Sequence, residues 1–174
     1  MGVVYGTSNL LIKSAIGAFG DLQVTGKENV PKKGALIVVA NHLSDIDPAV
    51  INVCLPRRVR FMAKAEFFEK PIISHLFKAY GAFPINENGR EFFAINESLN
   101  ILNRNGAMGI FPEGAKNPVV GKAMLGTAMI AVMSGAPLLP IGIVGTESIG
   151  SLRKIYYPKG KFRINIGKPF HPQT

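Results

Sequence analysis

Short apolar runs alternate along this chain with stretches of helical period. Runs rich in β-branched residues at 22–25, 35–40, 59–63, 82–85, 107–111, 138–144 and 163–166 are bounded by glycine, proline or polar clusters, which predicts strands. Helices are predicted between them at 48–54, 71–80, 90–104 and 121–133. In the helix from Arg90, Phe92, Ile95, Leu99 and Leu102 recur at helical spacing, so this stripe faces a core. Another helical stripe opens the chain: Leu10, Leu11, Ile12, Ala15, Ile16 and Phe19 stand within residues 5–19, where Lys13 is the lone charge. Such alternation predicts an α/β fold: a single domain over 21–174, with a mixed, mostly parallel central sheet flanked by helices, preceded by an N-terminal amphipathic helix over 1–20.

Two apolar segments raise the question of a membrane. The uncharged stretch 123–146 is long enough to cross a bilayer, but Ser134-Gly135-Ala136-Pro137 and Pro140 break it into a helix and a strand. The N-terminal stripe is too short and interrupted to span. Two readings of it stay open: it lies in a membrane interface on its apolar face, or it packs on the domain's own core. No basic n-region or cleavage site marks a signal peptide, and Gly6 stands where a myristoylation start requires serine or threonine.

Candidate chemistry follows the second strand. In Asn41-His42-Leu43-Ser44-Asp45-Ile46-Asp47-Pro48 a histidine precedes a carboxylate by five positions, in a turn at the carboxyl end of a buried run. Open α/β sheets keep their ligands at that end. A neutral imidazole takes a proton at physiological pH, and an aspartate on its other nitrogen would fix the tautomer. The alternative is that Asp47 is only the N-cap of the next helix, and His42 a loop residue bonded to backbone. Gly109-Ile110-Phe111-Pro112-Glu113-Gly114-Ala115-Lys116 forms a second loop after a strand-like run.

Together these stretches resemble the glycerolipid acyltransferase family, whose best-known members are 1-acylglycerol-3-phosphate acyltransferases. Asn41, His42, Ser44 and Asp47 match the family's Asn-His-x-Ser-x-x-Asp block, and Phe111 to Gly114 its Phe-Pro-Glu-Gly block. Leu139-Pro140-Ile141 matches a third, on a late strand, and smaller echoes run from about Leu22 to Pro169. Two departures touch the acceptor site. Gly81-Ala82-Phe83-Pro84-Ile85 is followed by Asn86-Glu87, where the family has an arginine for the acceptor's phosphate; Arg90 is the nearest substitute. After Gly114 stands Ala115-Lys116 in place of Thr-Arg or Ser-Arg, and lysine lacks the planar fork that suits phosphate.

Charge fits such a reading. The 174 residues carry a formal charge of +9, which favours polyanionic partners. Arg153, Lys154, Lys159, Lys161, Arg163 and Lys168 follow the last acid, Glu147, and Arg57, Arg58, Arg60 and Lys64 form a second cluster. This bias fits an anionic membrane surface. A nucleic-acid partner is not expected, since no recognised binding signature accompanies the basic tail. The lone Cys54 rules out an internal disulfide, and no Cys/His cluster suggests a metal. His75 reads as structural.

The resemblance implies acyl transfer from acyl-CoA or acyl-carrier protein to a lysophosphatidic acid hydroxyl, with no cofactor. His42 would be the base and Asp47 its orienting partner. Lys116, with Arg90, would hold the acceptor phosphate. Glu113 would bind an acceptor hydroxyl or brace the Gly114 loop, and Pro140 would line the acyl or thioester site. Backbone amides near His42 or Gly114 would steady the oxyanion. The expected place is the cytoplasmic face of the cell membrane, peripheral or monotopic. The family's additional C-terminal helix is missing from the sequence, which suggests a minimal or trimmed member. Rival readings are the same chemistry on another lyso-lipid, such as a lyso-ornithine lipid, a non-catalytic lipid or acyl-carrier binding module, and a small nucleic-acid-binding domain.

Overall fold

A computed structural model describes residues 2–85, 91–114, 125–149 and 158–172. Seven strands form one sheet: β1 (Gly20–Thr25), β2 (Leu36–Ala40), β3 (Val59–Lys64), β4 (Phe83–Ile85), β5 (Ala107–Ile110), β6 (Leu138–Val144) and β7 (Gly160–Ile166). Their order is β1-β7-β6-β2-β5-β3-β4. Every neighbouring pair is parallel except β6 with β7. This is the mixed, mostly parallel sheet expected.

Among the described residues five helices cover it: α1 (Gly2–Phe19), α2 (Asp47–Cys54), α3 (Pro71–Tyr80), α4 (Glu91–Asn103) and α5 (Leu125–Ser134). Alternation within β2 sorts the two layers. Leu36, Val38 and Ala40 join Ile46, Val50 and Ile51 of the α2 region and Ile16 of α1 in one core. Ile37 joins Ile101 and Leu102 of α4 and Ile130 and Ala131 of α5 in the other. Strand side chains alternate between faces, so a central strand feeding two helical layers must be apolar throughout. The stretch 123–146 divides as expected: its described part is α5 followed by β6, and no described helix is long and apolar enough to cross a membrane.

Three expectations are corrected. Asp47 is not an N-cap: Ile46 holds that position, α2 begins at Asp47, and its carboxylate reaches back to the preceding loop. His75 is exposed on α3, so it braces no core. The second basic cluster is not simply free charge for an anionic surface, because its arginines are tied to backbone carbonyls. Arg57 donates to the carbonyl oxygens of Pro31, Gly34 and Asn105. Arg58 donates to those of Tyr80 and Lys78, and Arg60 to Gly81 O and Glu97. A guanidinium's fan of donors suits turns whose carbonyls have no ladder partner.

The two readings of the first helix each describe one side of it. Ile12 and Ile16 pack into the core, while Val3, Leu10, Leu11 and Phe19 remain exposed. Hydrogen bonds add to this apolar docking. The Tyr5 hydroxyl donates to Asn52 Oδ1, Asn9 Nδ2 donates to Asn52 O, and the Tyr80 hydroxyl donates to Asn9 Oδ1.

Candidate active site

The loops that follow β2 and β5 meet at the carboxyl edge of the sheet. Register explains why: the strands are parallel neighbours with Val39 opposite Ile110, so both chains leave the sheet side by side. His42 leaves β2 two residues beyond Ala40, and Phe111 leaves β5 immediately after Ile110. Their rings stack, with centroids 4.1 Å apart and planes 15° apart. Phe61 of β3 stacks in turn on Phe111 at 5.5 Å. This column needs Gly109, because a methyl group there would overlap the Phe61 ring.

Asp47 fixes the other edge of the imidazole. Its Oδ2 lies 2.9 Å from His42 Nδ1 and accepts from the amides of Leu43 at 2.7 Å and Ser44 at 2.8 Å. An ionised carboxylate only accepts, so Nδ1 carries the proton and the free lone pair belongs to Nε2. Asp47 is fully buried, whereas the His42 side chain keeps 17% of its exposure. A negative charge in the first turn of α2 is also favoured by the helix dipole. Amide bonds, helix end and imidazole thus all stabilise one carboxylate.

The rest of the motif builds the support. Asn41 spans to β6, donating from Nδ2 to Ile143 O and accepting from Ile143 N. It is a clamp that continues the β2–β6 ladder past its end. Ser44 is buried and its hydroxyl has no partner among the described residues. Glu113 sits in the turn after Phe111 with its Oε2 buried and likewise unpartnered. Such an acceptor is costly to leave unmade and suits a donor brought by a ligand. Gly114 follows at φ 68°, a left-handed conformation that glycine adopts without strain.

Of the amides near the site, those of Leu43 and Ser44 donate to Asp47 and that of Gly114 to Phe111 O. Pro140 lies on β6 opposite Val39, and its ring approaches Gly167. Arg90 and Lys116 lie outside the described residues. Among the described residues no group of three His, Cys, Asp or Glu side chains could hold a metal ion. Phe111 was quoted in the sequence only as part of a motif; its role as the platform under His42 comes from the parallel register, which leaves no local trace.

A profile of the acyltransferase family matches residues 21–144, which include both loops of the site. The chain belongs to the acyltransferase family. Among its relatives is a 1-acyl-sn-glycerol-3-phosphate acyltransferase of Bacillus subtilis, 29% identical over 92% of this chain and 79% of that protein. Another so named, from Borreliella burgdorferi, is 26% identical over 72% of this chain and 52% of its own length. The crystal structure of the 1-acyl-sn-glycerophosphate acyltransferase PlsC from Thermotoga maritima superposes with a TM-score of 0.78, at 27% identity, covering 97% of this chain and 69% of that one. The fold and the enzyme class are therefore those of an acyltransferase of phospholipid biosynthesis. Within it, the described loops place His42, Asp47 and Phe111 together, with Glu113 two residues further along.

Proposed function

We propose that this acyltransferase moves a fatty acyl group from acyl-CoA or acyl-carrier protein to the free hydroxyl of lysophosphatidic acid, giving phosphatidic acid. The observation that carries the reading is the imidazole held at Nδ1 by a buried carboxylate, with Nε2 left for a substrate. The acceptor oxygen attacks the thioester carbonyl carbon. Its proton passes to His42 Nε2 as the C–O bond forms. The C–S bond then breaks, and the proton leaves with the thiol. Asp47 holds the tautomer throughout and balances the imidazolium. Glu113 Oε2 accepts a hydrogen bond from an acceptor hydroxyl, and Lys116, with Arg90, holds the acceptor phosphate. The enzyme works peripherally on the cytoplasmic face of the membrane, with the exposed side of α1 in the interface.

Acyl transfer from a radiolabelled long-chain acyl-CoA to lysophosphatidic acid in detergent micelles tests this, with parent and His42→Ala side by side. General-base removal should cost about 10²–10⁴-fold in turnover. Near-normal turnover in the variant would sink the mechanism. A second reading keeps the chemistry and changes the acceptor to a lyso-lipid without a glycerol phosphate. Asn86-Glu87 in place of the expected arginine favours it. Preference for a phosphate-free acceptor in a lyso-lipid panel would decide for it.

A further inference from the structure

The sheet has a second charged end. Opposite the catalytic loops, at the amino edge of β2, β3 and β5, opens a cavity of about 650 Å³ whose lining includes Lys32, Lys33, Gly34, Arg57, Arg58 and Asn105. Among the described residues no acidic side chain lines it. With five residues in β2 at ~3.3 Å each, it lies about 17 Å from the catalytic edge. It is therefore not the site already described.

Arg57 is fixed there by three carbonyl oxygens, from Pro31, Gly34 and Asn105. These use one Nη1 and both Nη2 donors, which leaves two of the five N–H groups. Among the described residues no carboxylate pairs with it. Burial alone pulls its guanidinium below the ordinary value, and an anion alongside would reverse that pull. The turns that shape the cavity hold two left-handed residues, Gly34 at φ 87° and Asn105 at φ 57°.

One arginine of the cleft also meets the helix that exposes apolar side chains. The Arg58 guanidinium lies 5.0 Å over the Tyr5 ring, in the first turns of α1. Val3, two residues before, is 78% exposed, and Leu10 and Leu11 carry exposed apolar surface further along the helix. Orientation completes the case. Tyr5 and Asn9 bond Asn52, whose amide reaches Val59 at the amino edge. Phe19 passes directly into Gly20, beside the start of β7 at the carboxyl edge. Helix α1 thus runs along the strands, and a surface that takes it lengthwise meets both ends of the sheet.

We propose that the cleft framed by Lys32, Lys33, Arg57 and Arg58 binds the phosphate of an anionic lipid headgroup, seating the enzyme at a point remote from its catalytic pair. The inference rests on the proposed interfacial position of α1. Charge at one end of a helix that exposes apolar side chains fits an amphiphile better than a soluble anion.

Co-sedimentation of the full chain tests it, on vesicles of phosphatidylcholine alone and with one part in five phosphatidic acid. Each lysine near an anionic surface contributes about five-fold in affinity, so the Lys32→Gln/Lys33→Gln pair should lose roughly twenty-five-fold on the anionic vesicles. Its binding to phosphatidylcholine and its acyl transfer in micelles should match the parent. Lys159→Gln/Lys161→Gln removes the same charge from exposed positions at the start of β7, at the other end of the sheet. Equal losses in the two pairs would overturn the site, because charge spread along the lengthwise face would then explain binding. Thermal protection by inorganic phosphate, with no gain on anionic vesicles, would overturn the lipid as occupant. A parent that binds anionic vesicles through the lysines yet transfers no acyl group would count against the proposed reaction and for this site.

Discussion

Asp47 does its work through one oxygen. Oδ2 accepts from His42 and two amides, while Oδ1 is buried without a partner among the described residues. Charge and hydrogen bonding are therefore separable by substitution. Asp47→Asn keeps an acceptor for the two amides but removes the charge that balances an imidazolium, so turnover should fall about a hundred-fold or more with the fold retained. Asp47→Ala also strands the Leu43 and Ser44 amides, which should add a loss of ~1–3 kcal/mol in urea unfolding. Parent-like rates in the asparagine variant would show that orientation alone suffices. The aromatic column makes a separate claim. Gly109→Ala drives a methyl group into the Phe61 ring, and the strain passes through Phe111 to the imidazole. Overpacking of this kind costs ~1–3 kcal/mol, and turnover should drop with KM nearly unchanged. A variant that is destabilised yet fully active would detach the column from catalysis.

At the scale of elements, legibility followed locality. Helix α3 (Pro71–Tyr80) and strand β6 (Leu138–Val144) appear over the residues expected, because proline opens the one and a continuous apolar run makes the other. Gly81 at φ 93° ends α3 as sequence punctuation suggests. The site was legible wherever it lay within a single loop, as with His42 and Asp47. It was not legible where partners come from distant turns. Arg57, Arg58 and Arg60 read as a surface cluster because Gly34, Asn105, Tyr80 and Gly81 are remote in sequence. Aspartate before proline looks the same whether the carboxylate caps its own helix or turns back to a histidine. Asn52 went unnoticed for the same reason. It is buried in α2, exchanges hydrogen bonds with Val59 of β3, donates to Pro48 O and accepts from Tyr5 of α1. One side chain thus ties three elements beside the residue that follows Asp47. Asn52→Ala should cost about 2–4 kcal/mol in urea unfolding, since several buried backbone groups lose partners together. On the proposed mechanism turnover should fall as well, because the start of α2 carries Asp47. A loss under ~0.5 kcal/mol, the ordinary scale of a surface change, would show that the network is dispensable.

Three buried or half-buried weak acids gather on one side of the described molecule. Tyr5, Cys54 and Tyr80 sit where α1, α2 and α3 meet, and burial is the largest cause that raises all three above their ordinary values. The Cys54 thiol is pushed from 9.0 up to about 11. Below pH 9 both folded and unfolded chains keep that proton, so the thiol adds no pH dependence. Above it the unfolded chain releases a proton that the folded chain retains, and stability falls as pH rises toward 11. The two-unit difference bounds the loss from the thiol at ~2–3 kcal/mol. Tyr5 and Tyr80 act in the same direction from their ordinary value of 10.0 upward. Urea midpoints should therefore hold steady through neutral pH and decline beyond about pH 9. Cys54→Ala should flatten the decline between pH 9 and 11 while lowering stability at pH 7 through the small cavity it leaves. The buried thiol should also resist alkylation at pH 8 until urea opens the α1–α2 contact, so labelling and unfolding should share one midpoint. Labelling well before that midpoint would mean that α1 lifts from the domain as a separate unit, as its exposed apolar side would permit.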